Sequence, residues 1–244
     1  MMLKMYKYIC ALTISFCWLL PTEASEFVLT SDTVKNKTLY SSREEARRAL
    51  SESPKANFFS GVSVGFDIVG PIMKMASSSG HLEAMCRVNI LETYFPTLEI
   101  GFGQCSHTDE NSDVCYSTKA PYYRIGLDYN FAKNKFSGNR IFGGVRYGFT
   151  TFDYDVSSPN LIDPNWGVTI PFQQKDVSGK KQWAELLFGI ESRVTSFLQI
   201  GWAVRYKFGL SEHAGTIGKP WYVPGYGRNK NGIFGANFNI IFEL

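Results

Sequence analysis

The sequence lacks the motifs that mark several common classes of enzyme. It has no glycine-rich phosphate loop, no Cys-x-x-Cys pair and no His-Glu-x-x-His helix, and it contains only three histidines. The formal net charge is only +3, which does not favour the strongly basic face of a nucleic-acid-binding protein. We therefore expect a protein that is not an enzyme, needs no cofactor or metal, and binds no nucleic acid.

Beyond its N-terminus the chain also lacks an apolar run long enough for a transmembrane helix, which needs about 20 such residues. Hydrophobic residues make up 44% of the sequence, but they are dispersed in alternating runs. Any part of this chain that enters a membrane would therefore have to do so as β-strands. Because lipid cannot satisfy an unpaired strand edge, such strands must form a closed sheet.

The N-terminus has the pattern of an export signal. Lys4 and Lys7 are followed by an uncharged, mostly apolar run over residues 9–20, and small residues precede the bond after Ala24. We therefore predict that residues 1–24 are a cleavable signal peptide and that the rest of the chain is exported.

Residues 25–57 are polar and contain few aromatic side chains. Ser42 and Glu45 form a capping box, which predicts one short helix that ends before Pro54. This N-terminal extension could act as a tether or a partial plug, or it could be a flexible lead-in. The main domain is predicted to cover residues 58–244.

From Phe59 onward, apolar and polar residues alternate with the period of two that is typical of β-strands. The clearest case is the seventh run, in which Ile200 and Trp202 share one face while Gln199 and Gly201 share the other. The eight predicted strands are 59–69, 80–90, 97–104, 122–131, 140–152, 182–194, 197–210 and 232–244.

The connections between these runs alternate in length. Residues 91–96, 132–139 and 195–196 are short connections, whereas residues 153–181 form a very long one. Outer-membrane barrels show this asymmetry, with short periplasmic turns, longer outside loops and an even number of strands. We therefore predict an all-β fold, an eight-stranded antiparallel up-and-down transmembrane β-barrel. Its location would be the outer membrane, where its partners are membrane lipid and lipopolysaccharide.

The polar face of the strands is predicted to line the inside of the barrel. This face carries many glycines, which make room for long neighbouring side chains. Its charges are nearly balanced and rich in arginine, whose forked guanidinium pairs well with carboxylates where water is scarce. The alternative is a soluble periplasmic barrel that binds an apolar ligand, with the apolar face inside. The predicted interior charge network consists of Asp67, Glu83, Arg87, Glu99, Arg124, Asp128, Arg146, Glu185, Glu191, Arg193, Arg205, Lys207 and Glu243.

An eight-stranded barrel is only wide enough for its own side chains, so this network is predicted to be a salt-bridged filling rather than a transport path. Function is then expected in the outside loops, as a structural or interaction role.

The most distinctive loop segment holds Trp221, Tyr222 and Tyr226 among prolines and glycines. These rings could bind a surface glycan or a protein partner, or they could form a girdle at the membrane boundary. Further girdle aromatics are predicted at strand ends, namely Tyr94, Phe95, Tyr122, Phe152 and Trp183.

Cysteines and histidines allow two further interpretations. Cys105 and Cys115 flank a polar segment of an exported chain and could form a disulfide, or both could be free thiols. His107 and His213 each lie near a serine and an acidic residue, as in an outer-leaflet enzyme that modifies lipid or lipopolysaccharide. Neighbouring residues of one loop seldom converge as a catalytic triad requires, so exposed loop histidines are the simpler interpretation.

Three stretches carry a family resemblance. They are RIFGGVRYGF at residues 140–149, KPWYVPGYG at residues 219–227 and FNIIFEL at residues 238–244. Together they resemble an uncharacterised family of small exported barrel proteins from Bacteroidetes. The resemblance implies an outer-membrane location and a β-barrel from about residue 59 to the end. It implies no activity and no catalytic residue.

Overall fold

A computed structural model describes residues 57–110, 113–132, 138–162, 167, 169–215 and 218–244. The predicted signal peptide and nearly all of the N-terminal extension, including its predicted helix, lie outside the described residues. The described residues fall within the unit Ala56–Leu244. None of them belongs to a helix that is long and apolar enough to cross a bilayer.

The described part of the chain is all-β apart from one short helix, α1 (Val69–Ala76). Eight antiparallel strands pair side by side, and the sheet closes on itself as a ring. These strands are β1 (Phe59–Asp67), β2 (Ser79–Ile90), β3 (Tyr94–Thr108), β4 (Cys115–Asn130), β5 (Arg140–Ile162), β6 (Thr169–Arg193), β7 (Leu198–His213) and β10 (Gly232–Glu243). Around the ring the order is β1, β10, β7, β6, β5, β4, β3 and β2. Two short strands, β8 (Tyr222–Val223) and β9 (Gly227–Arg228), form a separate hairpin.

Because every neighbouring pair in the ring is antiparallel, the connections fall at two opposite ends. We call one the turn end, where β2, β4 and β6 finish and β3, β5 and β7 begin. We call the other the loop end, where β3, β5 and β7 finish, and which carries α1 and the β8–β9 hairpin. Strand β1 begins and β10 finishes at the turn end, and the ring closes where residues 63–67 of β1 pair with residues 239–243 of β10.

Strands β5 and β6 are much longer than the sequence predicts. Residues 153–181, predicted to be one very long connection, are mostly strand, because β5 continues to Ile162 and β6 begins at Thr169. The prediction was wrong here because outward positions become polar beyond Phe149, which removes the apolar alternation while backbone pairing continues. Much of what was predicted as long connections at the loop end therefore consists of strand that extends beyond the apolar alternation.

Helix α1 lies in the connection between β1 and β2, where no helix was predicted. Asp67, the last residue of β1, accepts a hydrogen bond from the backbone N–H of Gly70 at 2.8 Å. Pro71 lies in the first turn of the helix, where a missing N–H is tolerated. The helix ends where Ser77 becomes extended. At eight residues it is too short to be stable alone, so its packing on the strands holds it in place.

Side chains alternate between the inside and the outside of the ring. On β4, Tyr122 and Arg124 are buried inside, whereas Tyr123, Ile125 and Leu127 are exposed outside. The same alternation recurs on the neighbouring strands. The charged and polar face of the strands therefore lies inside the ring, and the apolar face lies outside. This is the reverse of an ordinary water-soluble protein, in which apolar side chains form the interior.

Four of the five aromatics predicted at strand ends are not on the outer surface. Phe95, Tyr122, Phe152 and Trp183 are buried inside the ring, and only Tyr94 is exposed. The prediction was wrong because it relied on the position of each ring near a strand end. It ignored parity, by which we mean whether a residue is an even or an odd number of positions from an inward-facing residue of the same strand. For example, Trp183 has the same parity as the inward-facing Glu185 two residues later.

Candidate functional site

The centre of the interior is organised around the fully buried carboxylate of Glu99. Its Oε2 atom lies 2.9 Å from Nη1 of Arg124 and 2.7 Å from Nη1 of Arg205, and its Oε1 atom lies 3.0 Å from Nε of Arg146. Arg146 also makes a bidentate pair with Asp128 at 2.6 and 2.7 Å. Glu99 stands on β3, and its partners stand on β4, β5 and β7, so one carboxylate connects four strands. Strand β7 is directly opposite β3 in the ring.

Two further glutamates complete this central cluster. Glu83 lies 2.7 Å from Arg124 and 3.2 Å from Arg205. Glu185 lies 3.0 Å from Arg124 and 3.2 Å from Arg205. Each of these two arginines therefore contacts three carboxylates, including Glu99, and all of the side chains are buried. Such a pairing lowers the cost of placing charges away from water, and it fixes the relative positions of the strands.

Aromatic donors satisfy the outer edges of the central cluster. The Tyr122 hydroxyl donates to Glu83 at 2.7 Å, and Nε1 of Trp183 donates to Glu185 at 2.6 Å. Sequence reasoning missed both donors because it assigned these rings to the membrane boundary. Their inward parity was the signal that could have identified them.

A second charge cluster lies nearer the turn end. Arg87 makes a bidentate pair with Glu191 at 2.7 and 3.0 Å, and Arg140 lies 3.4 Å from the same carboxylate. Arg140 also pairs with Glu243, which in turn lies 2.8 Å from Arg193. The Arg193 side chain is 38% exposed, so this chain of pairs runs from the buried interior to the rim.

The structure brings most of the predicted network together in these two clusters. Asp67 stands apart near the loop end, where its carboxylate lies 3.1 Å from Nε2 of His81. Arg140 belongs to the second cluster but was not predicted. Its signal was present, because it has the same inward parity as Arg146 on the same strand.

The β8–β9 hairpin covers the central cluster from the loop end. Val223 and Tyr226 are almost fully buried, and they pack with Tyr122 and Trp183 in one cluster of buried rings and aliphatic groups. The Tyr226 ring meets the Trp183 ring edge to face, with centroids 5.8 Å apart. The hairpin is therefore a plug, which we call the β8–β9 plug and define as residues 221–228.

The tip of the plug is tied to the charges beneath it. The carbonyl oxygen of Gly225 accepts hydrogen bonds from Nη2 of Arg124 at 3.1 Å and from Nζ of Lys207 at 2.7 Å. Gly225 has a φ of +78°, and the Tyr122 ring lies so close that a Cβ atom would collide with it. Only glycine combines this left-handed backbone with this close approach. No local sequence signal identifies a backbone carbonyl as an acceptor, so sequence reasoning missed this contact.

The three aromatic residues predicted to bind a partner do not share one exposed face. Tyr226 is buried, Tyr222 is half-buried, and Trp221 is 37% exposed. Trp221 stacks on His107 with a centroid distance of 4.2 Å and an interplanar angle of 6°. The carbonyl of Tyr222 accepts a hydrogen bond from the Tyr116 hydroxyl at 2.6 Å. These rings therefore hold the plug in the ring, and Trp221 is the most exposed of the three.

Cys105 and Cys115 are both free thiols in the structure, which is the second of the two alternatives that the sequence left open. The cross-strand partner of Cys105 is Thr118, and that of Cys115 is Thr108. A three-residue offset corresponds to about 10 Å along a strand, which is beyond the reach of a disulfide. Burial raises the pKa of the Cys105 thiol to about 11, so this thiol stays protonated at neutral pH.

The loop histidines are held in contacts that do not resemble a catalytic set. The His107 ring is stacked on Trp221, and His213 lies exposed where β7 ends. Glu212, the acid beside His213, pairs with Lys181 at 3.2 Å and accepts a hydrogen bond from Asn229. Within the residues that the structure describes, no group of three or more His, Cys, Asp and Glu side chains is placed to hold a metal ion.

The interior thus has little room for a substrate or a transport path. Paired charges fill the middle of the ring, and the plug covers them at the loop end. A cavity of about 240 Å³ opens at the turn end beside Arg140 and Glu243, and a cavity of about 230 Å³ opens at the loop end beside Lys181 and Glu212. Chemically, this arrangement can stiffen the ring and seal it.

The fold and the interior together define a class, namely all-β proteins in which eight antiparallel strands close around paired, buried charges. The chain belongs to the family described as Domain of unknown function (DUF6048), which matches residues 4–243 and so covers nearly the whole sequence. No curated protein matches the chain.

Proposed function

We propose that this chain is an integral outer-membrane protein whose ring of strands spans the bilayer as a closed β-barrel. Its role would be that of a non-enzymatic anchor that presents the loop end to the outside of the cell. The observation that carries the proposal is the outer surface of the ring. On all eight strands, the described outward positions within the apolar band carry no charged side chain.

The height of this apolar band is close to that of a membrane. On β5 it runs from Ile141 to Phe149, and the next outward residues are Thr151 and Asp153. Eight residue steps are about 26 Å along a strand, or about 20 Å after the tilt of about 40° that is usual in such barrels. The hydrocarbon-facing band of outer-membrane barrels is about 25 Å tall, so the two dimensions are compatible.

The polarity of the interior also favours this proposal over a soluble carrier of apolar ligands. A soluble carrier needs an apolar interior and a polar outer surface. Here the described interior is lined by buried arginines and carboxylates, and side chains such as Leu82, Ile125 and Phe188 are more than half exposed outside. In water, such a continuous apolar surface would cause aggregation, whereas lipid would cover it.

Partner recognition would then fall to the loop end. Strands β5 and β6 extend furthest beyond the apolar band and pair with each other past Ser157, where β4 pairing ends, and Trp221 offers a partly exposed ring over His107 of β3. A surface glycan or a protein partner is the kind of ligand that such an outward-facing group of loops would meet.

The native Cys86 provides a direct test of membrane insertion. It is exposed on the outer face of β2 within the apolar band. In a Cys105→Ser, Cys115→Ser background, a nitroxide on Cys86 of the protein in lipid vesicles is expected to be accessible to oxygen and shielded from a water-soluble nickel complex. The matched control is a nitroxide at Ser117→Cys with Cys86 also replaced, since Ser117 faces outward above the band. Equal nickel accessibility at the two positions would show that the band is not in lipid.

A second measurement addresses transport. Because the interior is filled by paired side chains and covered by the plug, the folded protein is expected to show no stable ion conductance in a planar bilayer. A steady, reproducible single-channel current from the wild-type protein would contradict the anchor role while leaving membrane insertion intact.

A further inference from the structure

Helix α1 exposes apolar side chains at the loop end of the ring. The Ile72 side chain is 57% exposed, that of Met73 is 39% exposed and that of Met75 is 90% exposed. Ile72 and Met75 are three residues apart, so they lie on the same side of the helix. Exposure of three large apolar side chains on an eight-residue helix calls for a partner surface.

The C-terminal part of the helix is held against the outer side of β2. Gly80 has the same outward parity as Leu82 on β2, and the backbone of Lys74 lies directly over it, leaving no space for a Cβ atom. At the other end of the helix, the backbone N–H of Gly70 is bonded at 2.8 Å to the inward-facing carboxylate of Asp67, so the helix crosses the rim of the ring from its inner to its outer side. The helix is therefore docked on the ring at both ends, and it does not depend on a flexible tether.

The level of this docking is the boundary of the apolar band. In the strand register, Gly80 pairs with Gln104, which pairs with Lys119. One layer nearer the turn end, Leu82 pairs with Phe102. The outward surface thus changes from apolar to polar between these two layers, and α1 lies at that change. The ammonium of Lys119 lies 5.4 Å from the centre of the Phe102 ring, as expected for a lysine at a membrane interface.

We propose that α1 is an interfacial anchor that inserts Ile72 and Met75 into the outer leaflet of the membrane. This inference rests on the proposed membrane insertion of the ring. Lipid is the partner because the exposed side of α1 continues the apolar band at its boundary, and Lys74 on the same helix supplies a cation for anionic head groups. Three side chains are also too few for a protein partner, since stable interfaces bury about 800 Å² on each side.

The test uses nitroxide labels in lipid vesicles that contain anionic lipid. Met75→Cys is labelled in a Cys86→Ser, Cys105→Ser, Cys115→Ser background, and Ile72→Cys serves as a second site in case the first variant folds poorly. At both sites, accessibility to the nickel complex is expected to be several-fold lower than at Ser117→Cys, with accessibility to oxygen between those measured at Ser117→Cys and Cys86.

The outcomes distinguish this inference from the proposed function. If the Cys86 label is in lipid but residues 72 and 75 are as accessible to nickel as residue 117, then α1 lies in water and the inference is wrong. If labels on α1 are immobile and shielded from both reagents, a protein surface covers the helix, which also overturns it. If the Cys86 label itself is in water, the membrane proposal fails.

Discussion

Replacing Glu99 with glutamine is expected to lower the free energy of unfolding by about 3–5 kcal/mol, the usual cost of removing one partner from a buried ion pair. The variant keeps the shape of the side chain but removes the one charge that contacts Arg124, Arg146 and Arg205 together. These three guanidiniums remain buried, and each loses its close counter-charge at Glu99, so that they share only the carboxylates of Glu83, Asp128 and Glu185. Because Glu99 connects opposite strands, the loss should affect closure of the whole ring.

The measurement is a urea titration followed by the heat-modifiable mobility of the folded protein on gels. The matched control is Glu243→Gln, the same chemical change at a carboxylate that is 21% exposed and pairs with Arg140 and Arg193 near the turn end. Its cost is expected to be about 1 kcal/mol, as for partly solvated pairs. If the two variants had equal urea midpoints, Glu99 would not be the centre of the interior network.

Replacing Gly225 with valine is expected to lift the β8–β9 plug off the central cluster. A β-branched residue at a φ of +78° is strongly disfavoured, and its Cβ would collide with the Tyr122 ring. The hydrogen bonds from Arg124 and Lys207 to the Gly225 carbonyl would then be lost. We expect the clearest consequence to be a change in the reactivity of the buried Cys105 thiol, because Tyr222 and Arg228 of the plug lie close enough to interact with it.

In a Cys86→Ser, Cys115→Ser background, the rate at which a maleimide labels Cys105 reports the position of the plug. Burial raises the pKa of this thiol to about 11 from an ordinary value of 9.0, so little thiolate is present at pH 8. If displacement of the plug returns the pKa to its ordinary value, the thiolate fraction at pH 8 rises by about 100-fold, and access of the reagent adds to this. Because a thiolate of lower pKa is also a weaker nucleophile, the expected net result is labelling about 10-fold faster or more in Gly225→Val.

Gly218→Val is the matched control for the backbone. Gly218 also has a positive φ, of +104°, but no atom lies within 4 Å of where its Cβ would be. This variant is expected to incur the backbone cost of about 1–2 kcal/mol without moving the plug, so Cys105 should stay slow to react. Equal labelling rates in the two variants would show that the collision with Tyr122 does not control the plug.

Much of the ring could be predicted from the sequence, because a strand places alternate residues on opposite faces wherever it lies in space. The alternation of Ile200 and Trp202 with Gln199 and Gly201 identified β7, and the same pattern identified the other seven strands of the ring. Parity also assigned Glu99 and the other residues of the central cluster to one face. Tyr122 and Trp183 carried the same signal, but they were assigned by their position near strand ends, and Arg140 carried it but was not included in the predicted network.

Contacts across the ring were not available from the sequence. Glu99 and Arg205 are 106 residues apart, and only closure of the sheet brings β3 and β7 opposite each other. The same is true of the β8–β9 plug, whose prolines, glycines and aromatics describe a rigid turn but not where that turn lies. Its position depends on Tyr122, Arg124 and Lys207, which come from two other strands.

Helix α1 and the separation of the two cysteines also depend on the tertiary structure rather than on the local sequence. The register of β3 with β4 separates Cys105 from Cys115, and register depends on the pairing of whole strands rather than on the residues between the two thiols. Helix α1 is too short to be specified by its own propensity, so its existence depends on Gly80 and Asp67 against which it packs. The sequence by itself thus determined which residues face inward, because that follows from local backbone geometry. The tertiary structure decided which inward residues meet, because pairing across the ring depends on the closure and register of all eight strands.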